Sequence, residues 1–593
     1  MGERLHPTPH STREKAEQAR VFLPRDGNAG IQITEELDLS ERFTKIRVSR
    51  ILAFGWALSQ PLFAQWHPQP DPAEGTVDFQ SSNLPVIWID THGLQISDDP
   101  RIIADMGVID NGAGLRNRVT DFANAYRGRI AIELRGRSSQ SYPQKPYRFE
   151  TQDSLGNNLN VSLLGLPKEN DWVLYAPFVD ESLIRNVIAY GISNGMGRFA
   201  TRTRFCELVL NGDYRGIYVL MEKIKRDKNR VDIAAMDVDD VAGDSLTGGY
   251  IIKIDQNTGE NIGGWRSSKG LRYQYDYPRP DRIVPEQAAY IRDFIDEFEQ
   301  AMSDDWTAGP QPAYLRVIDG ESFVDHFIIN EFCKNVDAYR ISAFMHKDRD
   351  SKGGKLVMGP VWDMDLSMAN AYYWDDFDLT EGWEVDYRLR RPWDGALPPF
   401  WWEKLAHDPS FEAPASARWR ELRTGLLRQD RLYSMIDSLV ALTAEARGRH
   451  FRKWPGVLNG ETHEDRILRL KQWISARLYW IDANIGNLSG PAEKNGEPGS
   501  PADFCLYPNY PNPFNTSTTI DYHLPFSTRV VMVLCDRMGR ETRTLVDEIQ
   551  IPGRHRVLWD GLDGRGRTVG SGAYVVRMKA GGRLQTRKLM LLR

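Results

Sequence analysis

The chain has 593 residues, a length that calls for two to four domains rather than one core. Its composition, 41% hydrophobic and 26% charged, is that of a soluble globular protein, and a formal charge of −6 argues against a dedicated nucleic-acid binder. Four cysteines in so long a chain exclude a disulfide scaffold, and no clustered Cys/His spacing points to zinc.

Residues 1–44 are polar and irregular. Lys45, Arg47 and Arg50 then precede an apolar run at 51–64 (ILAFGWALSQPLFA) that is shorter than the roughly 20 residues needed to cross a bilayer. Basic, apolar, then small is the order of a secretory signal peptide, placed at 45–65. On that reading 1–44 is a leader ahead of a true start near Val48, and the mature chain carries no membrane span. A buried helix of an N-terminal domain is the alternative. Residues 66–83 lack periodicity and read as a linker.

From 84 the pattern becomes structured. Runs at 85–90 (PVIWID), 129–134 (RIAIEL), 147–150 (YRFE) and 171–176 (DWVLYA) have the β-branched and aromatic content of strands. Leu183, Val187, Ile188 and Ile192 recur at helical spacing, with Asp180 or Ser182 as N-cap and Gly195 or Gly197 as terminator. A hairpin follows, FCELVL and GIYVLMEKI joined through Asn211-Gly212, and 248–254 (GGYIIKI) is another strand. The segment 286–346 reads as mainly helical, with Phe323, Phe327, Ile328, Phe332 and Val336 forming a stripe that runs into Asp337. A strand is expected over 356–365 (LVMGPVWDMD) and helices over about 400–485. The domain at 84–485 is therefore α+β. A Gly/Pro/Ser/Asn linker at 486–503 leads to short strands with regular turns at 504–593, the pattern of a small all-β sandwich. Cys206 and Cys333 lie in the central region, Cys505 and Cys535 in the last, so one disulfide in each is open if the protein is exported.

Three features carry chemistry. Asp337 follows its apolar stripe, where a side chain can leave the core for a cleft. Asp363 and Asp365, two apart on an extended segment, aim at one side, and paired carboxylates suit Mg²⁺ bound together with substrate phosphates. Strand-end caps or surface acids explain the same residues. The turn Arg135-Gly136-Arg137-Ser138-Ser139, with Lys145 opening the next strand, can hold anionic oxygens through guanidinium, ammonium and backbone N–H groups. A solvated basic turn is the plainer account. Glu222 ends an apolar strand, either at a base edge or simply leaving the sheet.

Taken in order, ELRGRSSQSYPQKPYRFE, DWVLYAPFVDESLIRNVIAY, RTRFCELVLNGDYRGIYVLMEKIKRDKNRVDI, GGYIIKID, NEFCKNVDAYRISAFMHKD and GPVWDMDLSMANA resemble the CotH (spore coat protein H) kinase-like family across about 85–480. The resemblance implies a divergent protein-kinase-like fold that binds ATP with Mg²⁺ or Mn²⁺ and phosphorylates proteins. On it, Asp337 is the catalytic aspartate and Asp363 the metal aspartate, with Asp365 a second metal ligand. Lys145 contacts ATP phosphates, with Arg135 and Ser139 in support, and Glu222 lies at the adenine-facing hinge. Ser342 stands where ordinary kinases place a metal-binding Asn, and Asn335 or Asn370 would have to substitute. The tail (YPNYPNPFN, then WDGLDGRGRTVGSGAYVVRM) resembles the type IX secretion sorting domain, related to the Ig-like domain of flagellar hook-capping proteins. It implies a secreted or cell-surface protein, with the secretion machinery as one partner and an exported or surface protein as substrate. Two other classes stay open: a non-catalytic structural or adhesive protein on a kinase-like scaffold, and a metal-dependent hydrolase assisted by His326 or His346.

Overall fold

The computed structural model describes residues 74–256, 263–304, 312–371, 377–458, 460–488, 505–507, 509, 511–524, 528–537, 539–550, 553–580 and 583–592. The segments expected to be a leader (1–44) and a signal peptide (45–65) lie outside these. Among the described residues, β1 (Val86–Asp90), β2 (Ile102–Ile109), β3 (Tyr126–Leu134), β4 (Tyr147–Gln152), β5 (Asp171–Tyr175), β6 (Thr203–Leu210) and β7 (Asp213–Glu222) close into a barrel in the order β1-β2-β3-β4-β5-β7-β6. Every pairing is antiparallel except the parallel β1–β6 seam. The Asn211-Gly212 turn has φ of 50° and 80°, the left-handed pair that an Asn-Gly hairpin accepts at little cost. β2 went unread in the sequence because Ala104, Asp105, Met106 and Gly107 break the β-branched run.

β7 explains why this barrel is not freestanding. Tyr218 and Leu220 fill its interior, while Ile217, Val219 and Met221 on the opposite face join the helical core outside. Both faces are buried, so the strand reads as continuous apolar sequence instead of alternating. Against its start lies the end of a long helix, whose His450 Nδ1 accepts the Ile217 N–H at 3.1 Å and whose neighbour Trp454 donates to the Arg215 carbonyl at 3.0 Å. Gly216, at φ 92°, is required there, since a Cβ would sit 2.8 Å from His450 Nδ1.

The body beyond the barrel contains α1 (Arg185–Gly195) and a second sheet of β8 (Tyr250–Ile254), β9 (Gly264–Arg266), β10 (Arg272–Tyr277), β11 (Ala343–Lys347) and β12 (Leu356–Met358), ordered β9-β10-β8-β11-β12. Helices α2 (Pro285–Ser303), α3 (Gly320–Cys333), α4 (Phe400–Ala406), α5 (Pro409–Thr424), α6 (Gln429–Lys453) and α7 (His463–Asn484) complete it. Neither Asp180 nor Ser182 is the N-cap of α1, which is Ile184 without a side-chain cap, but Asp180 Oδ2 accepts the Arg185 N–H at 2.8 Å from further back, and Gly197 (φ 87°) lies just past the helix end. Two expectations are corrected. The segment 286–346 is not helical to its end, because Ala343–Lys347 pairs with β8 as a strand. The strand expected over 356–365 stops at Met358, since Pro360 has no N–H to continue a ladder. The last region forms two antiparallel sheets around one apolar cluster. Of β13 (Cys505–Leu506), β14 (Thr518–Leu524), β15 (Thr528–Cys535), β16 (Glu541–Gln550), β17 (Gly553–Trp559), β18 (Gly572–Ala580) and β19 (Arg583–Leu591), the orders are β13-β14-β17 and β16-β15-β18-β19. Among the described residues Cys206, Cys333 and Cys535 are buried free thiols, so Cys206 and Cys333 are not joined in a disulfide.

The buried histidines make an acid-sensitive core. Burial pushes His326 and His450 down to about 3 and His463 to about 4, from 6.5. Below pH 6.5 the unfolded chain takes up protons that the folded chain refuses, so these groups remove stability as pH falls. Carboxyls raised by burial, such as Glu331 at about 7, act oppositely until their unfolded forms protonate near pH 4. Below about pH 4 His326 and His450 are no longer offset. Stability measured by urea unfolding should then fall as the pH drops from about 4 towards 3, by on the order of 2 kcal/mol over that unit. A flat profile there contradicts this account.

Candidate functional site

Two loops meet where the sequence placed its aspartates. The first leaves α3, whose N-cap Asp319 accepts the Ser322 N–H at 2.8 Å and whose C-cap Lys334 is left-handed. Asn335 then turns the chain, accepting the Asp337 N–H at 3.2 Å while its amide reaches Met364 Sδ at 3.4 Å. The second loop is held by α1: Tyr190 Oη accepts the Asp363 N–H at 3.2 Å, Asn186 Oδ1 accepts the Met364 N–H at 2.8 Å, and the Arg185 guanidinium donates to the Met368 carbonyl. The loops are also tied directly, Met368 N–H to the Cys333 carbonyl at 2.7 Å. Among the described residues ten non-glycine positions have positive φ, and six lie here: Lys334, Tyr339, Ser342, Asp363, Met368 and Ala369. Such backbone costs about 1–3 kcal/mol per residue and persists only where its surroundings impose it, commonly at functional sites.

The carboxylates face one another in a poorly solvated setting. Asp337 keeps 20% side-chain exposure, enough to meet a ligand, and accepts Arg340 Nη2 at 2.8 Å. Burial raises it above the ordinary carboxylate range, Arg340 opposes the rise, and Asp363 adds to it. Asp363 is likewise raised by burial and eased by Arg135, with Lys253 also lowering it and Ser342 hydrogen-bonded to it. Asp365 is pushed up to about 7 by burial and by Asp363, and its Oδ2 accepts the Tyr175 hydroxyl at 3.0 Å. The Arg135 guanidinium lies 5.2 Å from the centre of the Trp362 ring, which stacks on Tyr190.

The structure thus brings Asp337, Asp363, Asp365 and Arg135 together. Ser139 sits on the same turn as Arg135, folded over Gly136, which has φ 82°. Lys145 bends back on its own loop, its ammonium 2.8 Å from the Gln140 carbonyl. Glu222 is fully buried at the far end of β7 and takes Arg202 on both carboxylate oxygens at 2.7 Å. Asn370 braces the loop by donating to the Asp365 and Val179 carbonyls. Neither histidine of the hydrolase alternative serves the aspartates: His326 stacks on Trp402 and His346 contacts the Gly359 carbonyl.

Sequence reasoning missed Lys253 and Asp255. Lys253 lies near the end of β8 and Asp255 just follows the strand; they pair at 2.9 Å, and both act electrostatically on Asp363. A lysine inside the otherwise apolar run YIIKI was the available signal. Arg340, three residues past Asp337, was visible as a spacing.

Hard oxygen donors at Asp363 and Asp365 are chemically right for Mg²⁺. Among the described residues, however, no three His, Cys, Asp or Glu cluster as a metal site would require. The pair fits Mg²⁺ only if phosphate and water oxygens complete the shell, which is that ion's usual arrangement.

Comparisons with known proteins bear on this geometry. The sequence profile of the family described as "CotH kinase protein" matches residues 132–481. No curated protein matches the chain. Dimeric latent PorU from Porphyromonas gingivalis is 20% identical over 15% of this chain and 9% of that one, with a TM-score of 0.13. The alkylpurine DNA glycosylase AlkC from Pseudomonas fluorescens, bound to DNA containing an abasic site analog, is 12% identical over 34% and 56%, also at 0.13. At such scores neither bears on fold or function. Among the described residues no helix is long and apolar enough to cross a membrane.

Proposed function

The chain belongs to the CotH kinase family, and on that premise we propose that it is an exported kinase transferring the ATP γ-phosphate to surface or exported proteins with Mg²⁺ or Mn²⁺. One observation carries the proposal: Asp337 and Asp363, 26 positions apart in the sequence, meet in two interlocked, strained loops beneath Arg135. Phosphoryl transfer asks little covalent chemistry of a protein. It asks for positioned positive charge and an oriented acceptor.

Asp337 orients the acceptor hydroxyl and takes its hydrogen bond, with Arg340 fixing the carboxylate. Asp363 and Asp365 hold the divalent ion, which when bound supplies positive charge at the phosphate oxygens. Arg135 and Lys253 face the same space and meet the remaining phosphate charge. Ser139 and Lys145 lie further along the Arg135 loop, and Lys145 reaches phosphate by releasing the Gln140 carbonyl. Glu222, committed to Arg202, anchors the strand end that the adenine would approach. The 45–65 segment and the C-terminal β-sandwich are read as the export signal and an Ig-like type IX sorting domain.

Calorimetry with MgATP, and label transfer from γ-labelled ATP to casein, test the assignment. Wild-type protein that neither binds nucleotide nor transfers label refutes it. The competing reading, an adhesive or structural pseudokinase, draws on Ser342 occupying the metal-binding Asn position. It predicts no transfer and a surface assembly indifferent to Asp337.

A further inference from the structure

Three of the protein's own cations act on part of the aspartate cluster. The Lys253 ammonium is 2.9 Å from Asp255 and lies over the Phe344 ring at 5.5 Å, with 19% of its side chain exposed. Its charge acts on Asp363 and also on Asp276 of β10, the neighbouring strand. Arg135 covers Asp363 from the barrel side, and Arg340 holds Asp337 at 2.8 Å. Of the two acids that would hold a divalent ion, Asp363 therefore has resident cations beside it, whereas Asp365 meets only the Tyr175 hydroxyl.

We propose that Lys253 is a two-position counter-ion: it neutralises the Asp255–Asp363 side of the cluster at rest and transfers to phosphate oxygens when a nucleotide arrives, so that the divalent ion enters only with the nucleotide. The inference rests on the kinase reading and adds an order of binding to it. A lysine suits this part because its ammonium is a point charge on a flexible stem, able to exchange Asp255 for phosphate over a few ångströms. Removing a unit charge close to a carboxylate in this partly desolvated setting changes cation affinity by about tenfold or more. The exchange involves no covalent step, only redistribution of one ammonium and one divalent charge.

Manganese binding to the full chain, followed by electron paramagnetic resonance with and without a non-hydrolysable ATP analogue, reads this directly and needs no turnover. Wild type should take up Mn²⁺ weakly alone and tightly with the analogue. Lys253→Met should bind Mn²⁺ alone at least about tenfold more tightly than wild type while losing about tenfold in analogue affinity. Lys253→Arg, which keeps the charge, should still exclude free Mn²⁺. Wild type that binds Mn²⁺ equally well without the analogue overturns the proposal, whatever the variants do, and leaves the kinase reading standing. So does a folded Lys253→Met with unchanged Mn²⁺ affinity. Wild type that takes up neither metal nor analogue overturns both.

Discussion

Asp337→Asn should cut label transfer from ATP to protein by roughly 10²–10⁴-fold, the usual contribution of a positioned acid–base group, while leaving MgATP affinity within a few-fold of wild type. The reasoning is geometric. Asparagine keeps the shape and an oxygen for Arg340 Nη2, now 2.8 Å from Asp337 Oδ1, so the loop that Asn335 and Met368 brace should survive. What disappears is the anionic acceptor for the incoming hydroxyl. Asp363→Asn should behave differently, losing nucleotide affinity and transfer together, because that carboxylate faces the metal and phosphate charge. Burial holds Asp337 above the ordinary carboxylate range, so transfer should rise with pH along a limb displaced upward from that of a free aspartate. Full transfer by Asp337→Asn would remove this residue from the chemistry. Equal loss of nucleotide binding by both variants would make its role one of loop structure.

Which parts of this were legible beforehand follows the range of the interactions. The barrel strands at 129–134, 171–176 and the 205–224 hairpin announce themselves through local apolar runs and Asn-Gly, and they stand as read. The 343–347 segment does not, because Ala343–Lys347 is a strand only by virtue of β8, ninety residues earlier in the chain. Residue type and spacing made Asp337, Asp363 and Asp365 candidates only, beside strand-end caps or surface acids, and their roles come from the family resemblance. Their cations were harder to see. Lys145 looked suited by position, yet its direction is fixed by the Gln140 carbonyl of a turn whose geometry no local pattern encodes. Lys253 reaches the site through strand pairing: its register opposite Phe344 sets it beside the Asp363 loop. Glu222 owes its partner to β6 and β7 lying side by side, which brings Arg202 back to it from twenty residues away.

Arg477→Met should destabilise the protein by about 3–5 kcal/mol, the cost of stripping one partner from a buried ion pair. Arg477 of α7 has no exposed surface. Its guanidinium donates to the Glu331 carbonyl at 2.8 Å, to Glu331 Oε2 at 3.2 Å, and to the Thr380 and Gly382 carbonyls at 2.9 and 2.7 Å. Glu331 in turn accepts the Glu384 and Val385 N–H groups and the Tyr339 hydroxyl. Burial pushes Glu331 up to about 7 and Arg477 down to about 10, so desolvation outweighs the attraction on both sides. The pair is then worth more as a fixture than as a source of stability. Removing the arginine alone leaves a carboxylate buried in a core with no cation, whereas Glu331→Gln with Arg477→Met should recover much of the loss. Urea unfolding of the two single variants and the double closes that cycle, and additive losses would rule the coupling out. The site should feel the same break. Tyr339, bonded to Glu331 at 2.9 Å and held at φ 70°, stands two residues past Asp337, so Arg477→Met should lower kcat for transfer more than it changes nucleotide affinity. Unchanged kcat in a destabilised protein would confine the network to folding.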